Sequence, residues 1–391
     1  RRWCTEYESP DSHLRFLYTY PSANDIQCPM REENLNVLTL ILNRLNLVAA
    51  FRQLASNQQR RVTLMSLATA QMLVQLTFIP VTLTIPSVAA YFGVNIVDAA
   101  WTVIARLLVL GSTVFLSSRL GARYGHIRLF CFGIVIMTLS SMMAATSQNL
   151  TQLIIWSGTG GLGGGLVIAN SNAILSLVFR PDEMGRAFAV PVTASRFGTL
   201  IGIGLFGLFL QFISWRLVFV TSFATGLIAL KYAYPMLKYQ YQQSIEEKLR
   251  ISIDYLGGIL MITTLVVFIL SGSHLHDGAE SFTSNDGLGY HVPMHLLAVA
   301  LFALFVVLQL RSKNPFLEFR NFKTKYFSMA LFTNTTVHLS MLTIFTMVPI
   351  LIEGGLGKAQ VVVSMVLLGI ILCMGLQVDT PLKGYSPNPK P

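Results

Sequence analysis

The chain has 391 residues, of which 53% are hydrophobic and only 12% charged, whereas a soluble domain carries roughly a quarter charged residues, so a membrane protein is the economical reading. A net charge of +10 raises nucleic acid as a partner, but the positive residues fall in loops between apolar runs rather than on one aromatic-bearing surface, and nucleic acid is set aside. Cys4, Cys28, Cys131 and Cys373 have neither C-x-x-C spacing nor partner histidines, so no metal site and no disulfide framework is expected.

Residues 1–61 read as a polar, cytoplasmic N-terminal segment that begins at Arg1 and has neither the apolar core nor the cleavage site of a signal peptide. Met30 is a candidate start. Beyond it, Leu38, Ile41, Leu42, Leu45, Val48 and Ala49 form an apolar face opposite Asn36, Asn43 and Arg44, the pattern of a helix lying on the inner leaflet. Ten apolar runs follow, at 62–88, 98–118, 128–147, 151–179, 186–213, 215–235, 255–272, 291–310, 327–352 and 359–376. Each is near the ~20 residues that cross a hydrocarbon core as a helix, and the expected fold is an all-α, polytopic membrane protein of about ten transmembrane helices. Residues 377–391 are a polar tail.

Within the fourth run, GTGGLG at Gly158–Gly163 matches the G-x-G-x-x-G spacing of a dinucleotide-binding turn, with Asp182 and Glu183 further on. No charged residue occurs from Thr151 to Phe179, so this stretch lies in a span, where no water-facing loop can aim its amides at a pyrophosphate. Ser157, Gly161, Gly165, Ala169 and Ala173 instead recur every fourth residue. Small residues on one helix face let two backbones approach closely, which is how helices associate in lipid.

Lysine and arginine fall in alternate connections. One set holds Arg119, Arg123 and Arg128, then Arg180 and Arg186, then Lys231, Lys238, Lys248 and Arg250, then Arg311, Lys313, Arg320, Lys323 and Lys325; the other holds only Arg216 and Lys358. By the positive-inside rule both termini are cytoplasmic, and the loops at 89–97, 148–150 and 273–290 face outward.

Polar groups inside the runs are the candidates for function. Arg106 lies about eight residues into the second run and Arg196 about ten into the fifth. They attract an anionic group of a cargo, or Arg106 snorkels outward and Arg196 binds helix carbonyls, or the sequence has simply decayed. His338, in the ninth run, is the one titratable group other than arginine well inside a span; it is either a proton carrier or a hydrogen-bonding bridge between helices. Asn170, Ser171, Asn172 and Asn334 line a cavity or join helices. No nucleophile, base and orienting acid can be assembled, and no phosphate loop ending in Gly-Lys-Ser/Thr occurs, so neither enzymatic activity nor a cofactor is expected.

SSRLGARYGHIR, Ser117 to Arg128, resembles the Gly-x-Leu-x-Asp-Arg-x-Gly-Arg-Arg loop between the second and third helices of the major facilitator superfamily. IPSVAAYFGV closing the first run, Trp101 opening the second, SWRLVF at Ser214–Phe219, IDYLGG at Ile253–Gly258 and NPFLEFRNFKTKYF at Asn314–Phe327 resemble its fourteen-helix drug/proton antiporter branch, the multidrug efflux permeases. The resemblance covers about 62–370. It implies a carrier in which two six-helix bundles tilt about a central cavity, here a first bundle at 62–235, a cytoplasmic linker at 236–253, two linker helices at 254–310 and the first two helices of a second bundle at 311–376. A fourteen-helix relative continues with four more helices, so the second bundle is expected to be incomplete.

The resemblance makes Arg119, Arg123, Gly125 and Arg128 a cytoplasmic gate loop, although the arginines also serve as topology determinants. Arg106, Arg196, Asn170, Asn172 and His338 become candidates for the substrate pathway, and Gly161, Gly165, Gly198, Gly202 and Gly207 become the helix-packing motif. The sequence departs from the family at Ala122, where the gate loop has its acid, at Thr77 for the acid of helix one, at Ser157 for the arginine of helix four, and at Gly202-Ile203 for the Gly-Pro pair of helix five. The expected activity is secondary active efflux of small amphipathic molecules or drugs across the plasma membrane, with protons as the coupling ion and the lipid bilayer as solvent. A truncated, non-transporting remnant or a partner-binding membrane protein is the alternative.

Overall fold

The computed structural model describes residues 57–78, 80–238, 255–273, 285–312, 322–349, 351–352, 362–367 and 369. The expected interfacial helix, most of the tenth run and the polar tail lie outside the described residues, as do Lys248, Arg250 and Lys358. Among the described residues all regular structure is helical, as lipid requires of any span whose backbone must satisfy itself.

The elements are α1 (Gln58–Phe78), a 3-10 turn (Pro80–Thr84), α2 (Ile85–Phe92), α3 (Ile96–Tyr124), α4 (His126–Ala145), α5 (Leu150–Val178), α6 (Met184–Phe212), α7 (Arg216–Ala233), a second 3-10 turn (Tyr234–Lys238), α8 (Tyr255–Ser273), α9 (Asn285–Arg311) and α10 (Lys325–Pro349). Seven described stretches are long and apolar enough to cross a membrane: Gln58–Phe92, Ile96–Val114, His126–Ala145, Leu150–Val178, Met184–Phe212, Arg216–Lys238 and Leu288–Arg311. Of the three other expected runs, the tenth lies mostly outside the described residues. The apolar stretch of α8, Leu256–Ser271, is shorter, and α10 carries Thr333, Asn334, Thr335, Thr336, His338 and Ser340 in succession or nearly so, which dilutes its apolar character.

Two boundaries differ from expectation. The first run is a jointed crossing rather than one helix, because Pro80 has no N–H to continue the ladder of α1. In the joint, the Thr84 hydroxyl donates to the Val81 carbonyl at 2.7 Å, and Pro86 opens α2 where a missing N–H is tolerated. In addition, α3 continues through the charged sequence from Arg119 to Tyr124. A single residue then separates it from α4: Gly125, at φ +103°, with its N–H donating to the Gly121 carbonyl at 2.8 Å, a backbone state that side chains disfavour.

GTGGLG lies in the middle of α5, not at a strand-to-helix turn. It packs between α3 and α4, and the contacts show what the small residues do. A Cβ on Gly163 would lie 2.6 Å from the Gly133 carbonyl oxygen of α4, and one on Gly133 would lie 2.8 Å from the Gly163 carbonyl. On the α3 side, a Cβ on Gly165 would lie 2.8 Å from Thr113 Cβ, and one on Gly161 would overlap the Arg106 carbonyl. Gly198 and Gly202 of α6 do the same against Met72 and Pro80, and Gly207 is buried.

One cluster of buried side chains unites Leu76, Val88, Phe206, Trp215, Phe219 and Phe345, and a second unites Leu64, Leu73, Phe130, Ile134, Val167 and Ile174. Large apolar side chains also cover the outside, among them Phe132, Leu139, Phe212 and Phe332. That much exposed apolar surface suits lipid and not water.

Candidate functional site

Because the spans alternate in direction, one end of the bundle gathers the start of α1, the α3–α4 link, the α5–α6 turn and the end of α7. Arg60 at the start of α1 forms a two-point ion pair with Glu183, with both N···O distances 3.2 Å, and its guanidinium stands 5.4 Å from the Phe179 ring centroid. At the α3–α4 link, Arg123 is exposed over the Tyr124 ring at 5.8 Å, Arg128 is exposed and Arg119 is half-buried. Ala122 supplies no carboxylate here. The link is fastened by His126, whose Nδ1 lies 2.8 Å from Asn170 Oδ1, while Asn170 Nδ2 donates to the Leu166 carbonyl at 2.8 Å. A Cβ on Gly121 would overlap both His126 and Asn170, so this bridge depends on the glycine. Asn170 is wholly buried in it.

Asn172 turns the other way. With Gln71 of α1, Ser171 and Leu175 of α5, and Phe188, Pro191, Val192 and Ser195 of α6, it lines a groove of about 100 Å³. Gln71 and Ser195 escaped the sequence analysis. Their signal was there, as polar residues near the middle of apolar helices, but serine is too common in spans to be distinctive. Pro191 denies α6 one backbone bond at the groove wall. Arg196 is exposed on α6 beside Ser195. A larger crevice of about 340 Å³ between α8 and α9 has walls that are apolar apart from Thr264 and His295. His291 and His295 on α9 aim their Nδ1 atoms at the Ser271 and His291 carbonyls, at 2.6 and 2.7 Å. His338 lies on the exposed side of α10 with Nδ1 2.8 Å from the Asn334 carbonyl.

The opposite end of the bundle is held by Arg216, the first residue of α7. Its guanidinium donates to Tyr91 Oη at 3.2 Å and to the Ser147 carbonyl at 3.0 Å, and stands 4.9 Å from both the Tyr91 and the Trp215 rings.

Arg106 does not snorkel: it is 3% exposed, within the bundle. Its Nη1 donates to the Thr77 carbonyl at 3.0 Å, and its Nε and Nη2 have no hydrogen-bond partner. Nη2 lies near α5, 3.4 Å from where a Cβ on Gly160 would stand, and Ser140 Oγ of α4 lies 2.9 Å from the same point. Ser157, one turn earlier on α5, is buried with an unpartnered hydroxyl. An arginine inserted at mid-span costs roughly 2.5–3.5 kcal/mol; its one hydrogen bond, from a charged donor, returns about 1.5–3 kcal/mol and leaves the rest of the guanidinium without a partner. Thr77 and Ser157 are the two positions at which the family resemblance leads one to expect an acid and an arginine; here the cation stands on α3 between them, without the acid.

Residues 66–385 match the family model described as Major Facilitator Superfamily. The chain belongs to the Major Facilitator Superfamily. As a member of it, the protein is an all-α, multi-pass membrane protein. Relatives in the Major Facilitator Superfamily include the uncharacterized MFS-type transporter YhcA of Bacillus subtilis (26% identical; 78% of this chain and 56% of the relative covered). The riboflavin transporter RibZ of Clostridioides difficile is 22% identical over 68% of this chain and 55% of its own. The multidrug resistance protein B homolog of Mycobacterium tuberculosis is 28% identical over 69% and 49%. The chain thus spans about half the length of these curated relatives. Among solved structures, the inward-open xylose transporter XylE from E. coli aligns at 15% identity and a TM-score of 0.41, covering 66% of this chain and 69% of that one.

Proposed function

We propose that the protein is a secondary active carrier that exports small amphipathic molecules by alternating access, in the plasma membrane with both termini in the cytoplasm. The observation that carries this reading is the groove of Gln71, Asn172 and Ser195: three hydrogen-bonding side chains from α1, α5 and α6 converge within lipid-spanning helices, where polar groups mark a pathway. The order of the motifs from Ile85 to Phe327 and the likeness to a multidrug resistance protein homolog favour the drug/proton antiporter branch. In this reading the helices within 62–235 are the first bundle, α8 and α9 are linker helices and α10 opens a second bundle. Arg119, Arg123, Gly125 and Arg128 form the cytoplasmic gate, and His338, the titratable group in span nine, takes part in proton coupling.

The test is cargo-stimulated proton movement in liposomes holding the full chain, using a panel of cationic, neutral and anionic amphipathic dyes. Dye-dependent proton release is expected, weakened by Gln71→Ala and Asn172→Ala. Dye accumulation that ignores the proton gradient would remove the coupling, and no dye movement in any liposome would remove the carrier reading.

A further inference from the structure

Arg106 is the ionised side chain that the described fold seals inside the bundle with much of its donor capacity unused. The described acidic side chains are remote: Asp98 lies eight positions earlier on α3, about 12 Å along the axis at ~1.5 Å per residue, and Asp182 and Glu183 stand at the α5–α6 turn. The Thr77 carbonyl occupies Nη1 alone. The two unpartnered nitrogens, Nε and Nη2, share one edge of the guanidinium plane, and that edge presents two parallel N–H groups with the spacing of the two oxygens of a carboxylate. The glycine backbone at 160 and 161 lets α5 come against the residue without a side chain in the way, and the Ser157 hydroxyl, also buried and unpartnered, adds a donor within one helical turn.

We propose that the Nε–Nη2 edge of Arg106, together with the Ser157 hydroxyl, is a receptor for a carboxylate group. A planar monoanion with two oxygens matches the edge and neutralises the single buried charge. A spherical anion meets the charge but not the edge, and a dianion leaves one negative charge unmatched in an apolar setting. Because the site is closed, only a small head enters, and entry requires α3 and α5 to part along the face of Gly158, Gly161 and Gly165. The carboxylate is either a free small anion or the acidic group of a cargo; only the second source rests on the carrier reading.

The experiment measures the thermal unfolding midpoint of the purified full chain by tryptophan fluorescence, titrating sodium formate or sodium benzoate against sodium chloride at fixed ionic strength. A saturable rise in midpoint with carboxylate over chloride is expected. Arg106→Gln should abolish it, Arg106→Lys should keep a response to anions while losing the preference for carboxylate over chloride, and Ser157→Ala should weaken the apparent affinity by several-fold to about tenfold. Arg186→Gln, at an exposed residue, should change nothing. Formate acting as well as benzoate identifies a free-anion site, and benzoate acting alone identifies a cargo group. Equal midpoints in all three salts overturn the proposal, as does a formate response that survives Arg106→Gln. If the Arg106 variants do not fold, an unchanged formate affinity in Ser157→Ala overturns it. Binding is read without transport, so a chain that moves dye but ignores carboxylates refutes this site alone, and one that binds carboxylate but moves nothing refutes the carrier reading alone.

Discussion

Substituting Gly163 with alanine should destabilise the bundle even though alanine is the better helix former. A Cβ there would lie 2.6 Å from the Gly133 carbonyl, 2.7 Å from Met137 Cγ and 2.8 Å from Met137 N. Ordinary contact begins near 3.4 Å, so α4 must retreat by roughly 0.6 to 0.8 Å. A gap of that size forfeits about a quarter to a half of each dispersion contact along the seam, at ~0.1–0.2 kcal/mol per atom pair, and over some tens of pairs the loss is about 1–3 kcal/mol, the usual cost of overpacking. Gly204→Ala is the control: nothing lies within 4 Å of its Cβ position, so only the helix-propensity gain of up to about 1 kcal/mol remains. The assay is the thermal midpoint of detergent-solubilised protein, with Gly163→Ala lower than wild type and Gly204→Ala equal or higher. Gly133→Ala opens the same seam, so the double variant should lose less than the sum of the two single losses. Equal midpoints for Gly163→Ala and Gly204→Ala would refute the reasoning.

Arg216→Ala removes two hydrogen bonds and two ring contacts where α7 begins, and a loss of about 1–2 kcal/mol is expected; Arg216→Lys should recover only part of it, because an ammonium cannot lie flat between Tyr91 and Trp215. In a double-mutant cycle, His126→Ala and Asn170→Ala should couple by about 0.6 to 1.7 kcal/mol, the range for side-chain hydrogen bonds between membrane helices, and additive losses would deny the bridge. Asn170→Ala should lower stability and leave cargo affinity alone, whereas Asn172→Ala should weaken cargo affinity by roughly 2- to 13-fold with stability unchanged, as read by dye-transport KM and unfolding midpoints of the same preparations.

The helices were legible because lipid leaves the backbone few choices: a run of about 20 apolar residues must satisfy its own hydrogen bonds, and α4 to α7 fall where the runs lie. Local composition misled at the end of α3, where Arg119 and Arg123 looked like a loop; charged residues also suit a helix that continues past the lipid into water. Facing was harder to read. Asn170 and Asn172 are two residues apart, about 200° around a helix of 3.6 residues per turn, and only neighbouring helices decide which meets His126 and which meets the groove. Likewise Arg106 and Arg196 look alike in sequence, yet the glycines at 160 and 161 enclose the first, while α6 leaves the second exposed.

The joint at Pro80–Thr84 sits at a crossroads. Gly202 of α6 presses on Pro80, and Thr82 donates its hydroxyl to the Phe345 carbonyl of α10 at 3.3 Å, so three segments far apart in sequence meet where the first crossing lacks its regular ladder. The joint thus ties the first crossing to both α6 and α10 at the place where Pro80 leaves a gap in its backbone bonding, so that α1 and α2 meet these neighbours as two short helices set end to end and not as one continuous rod.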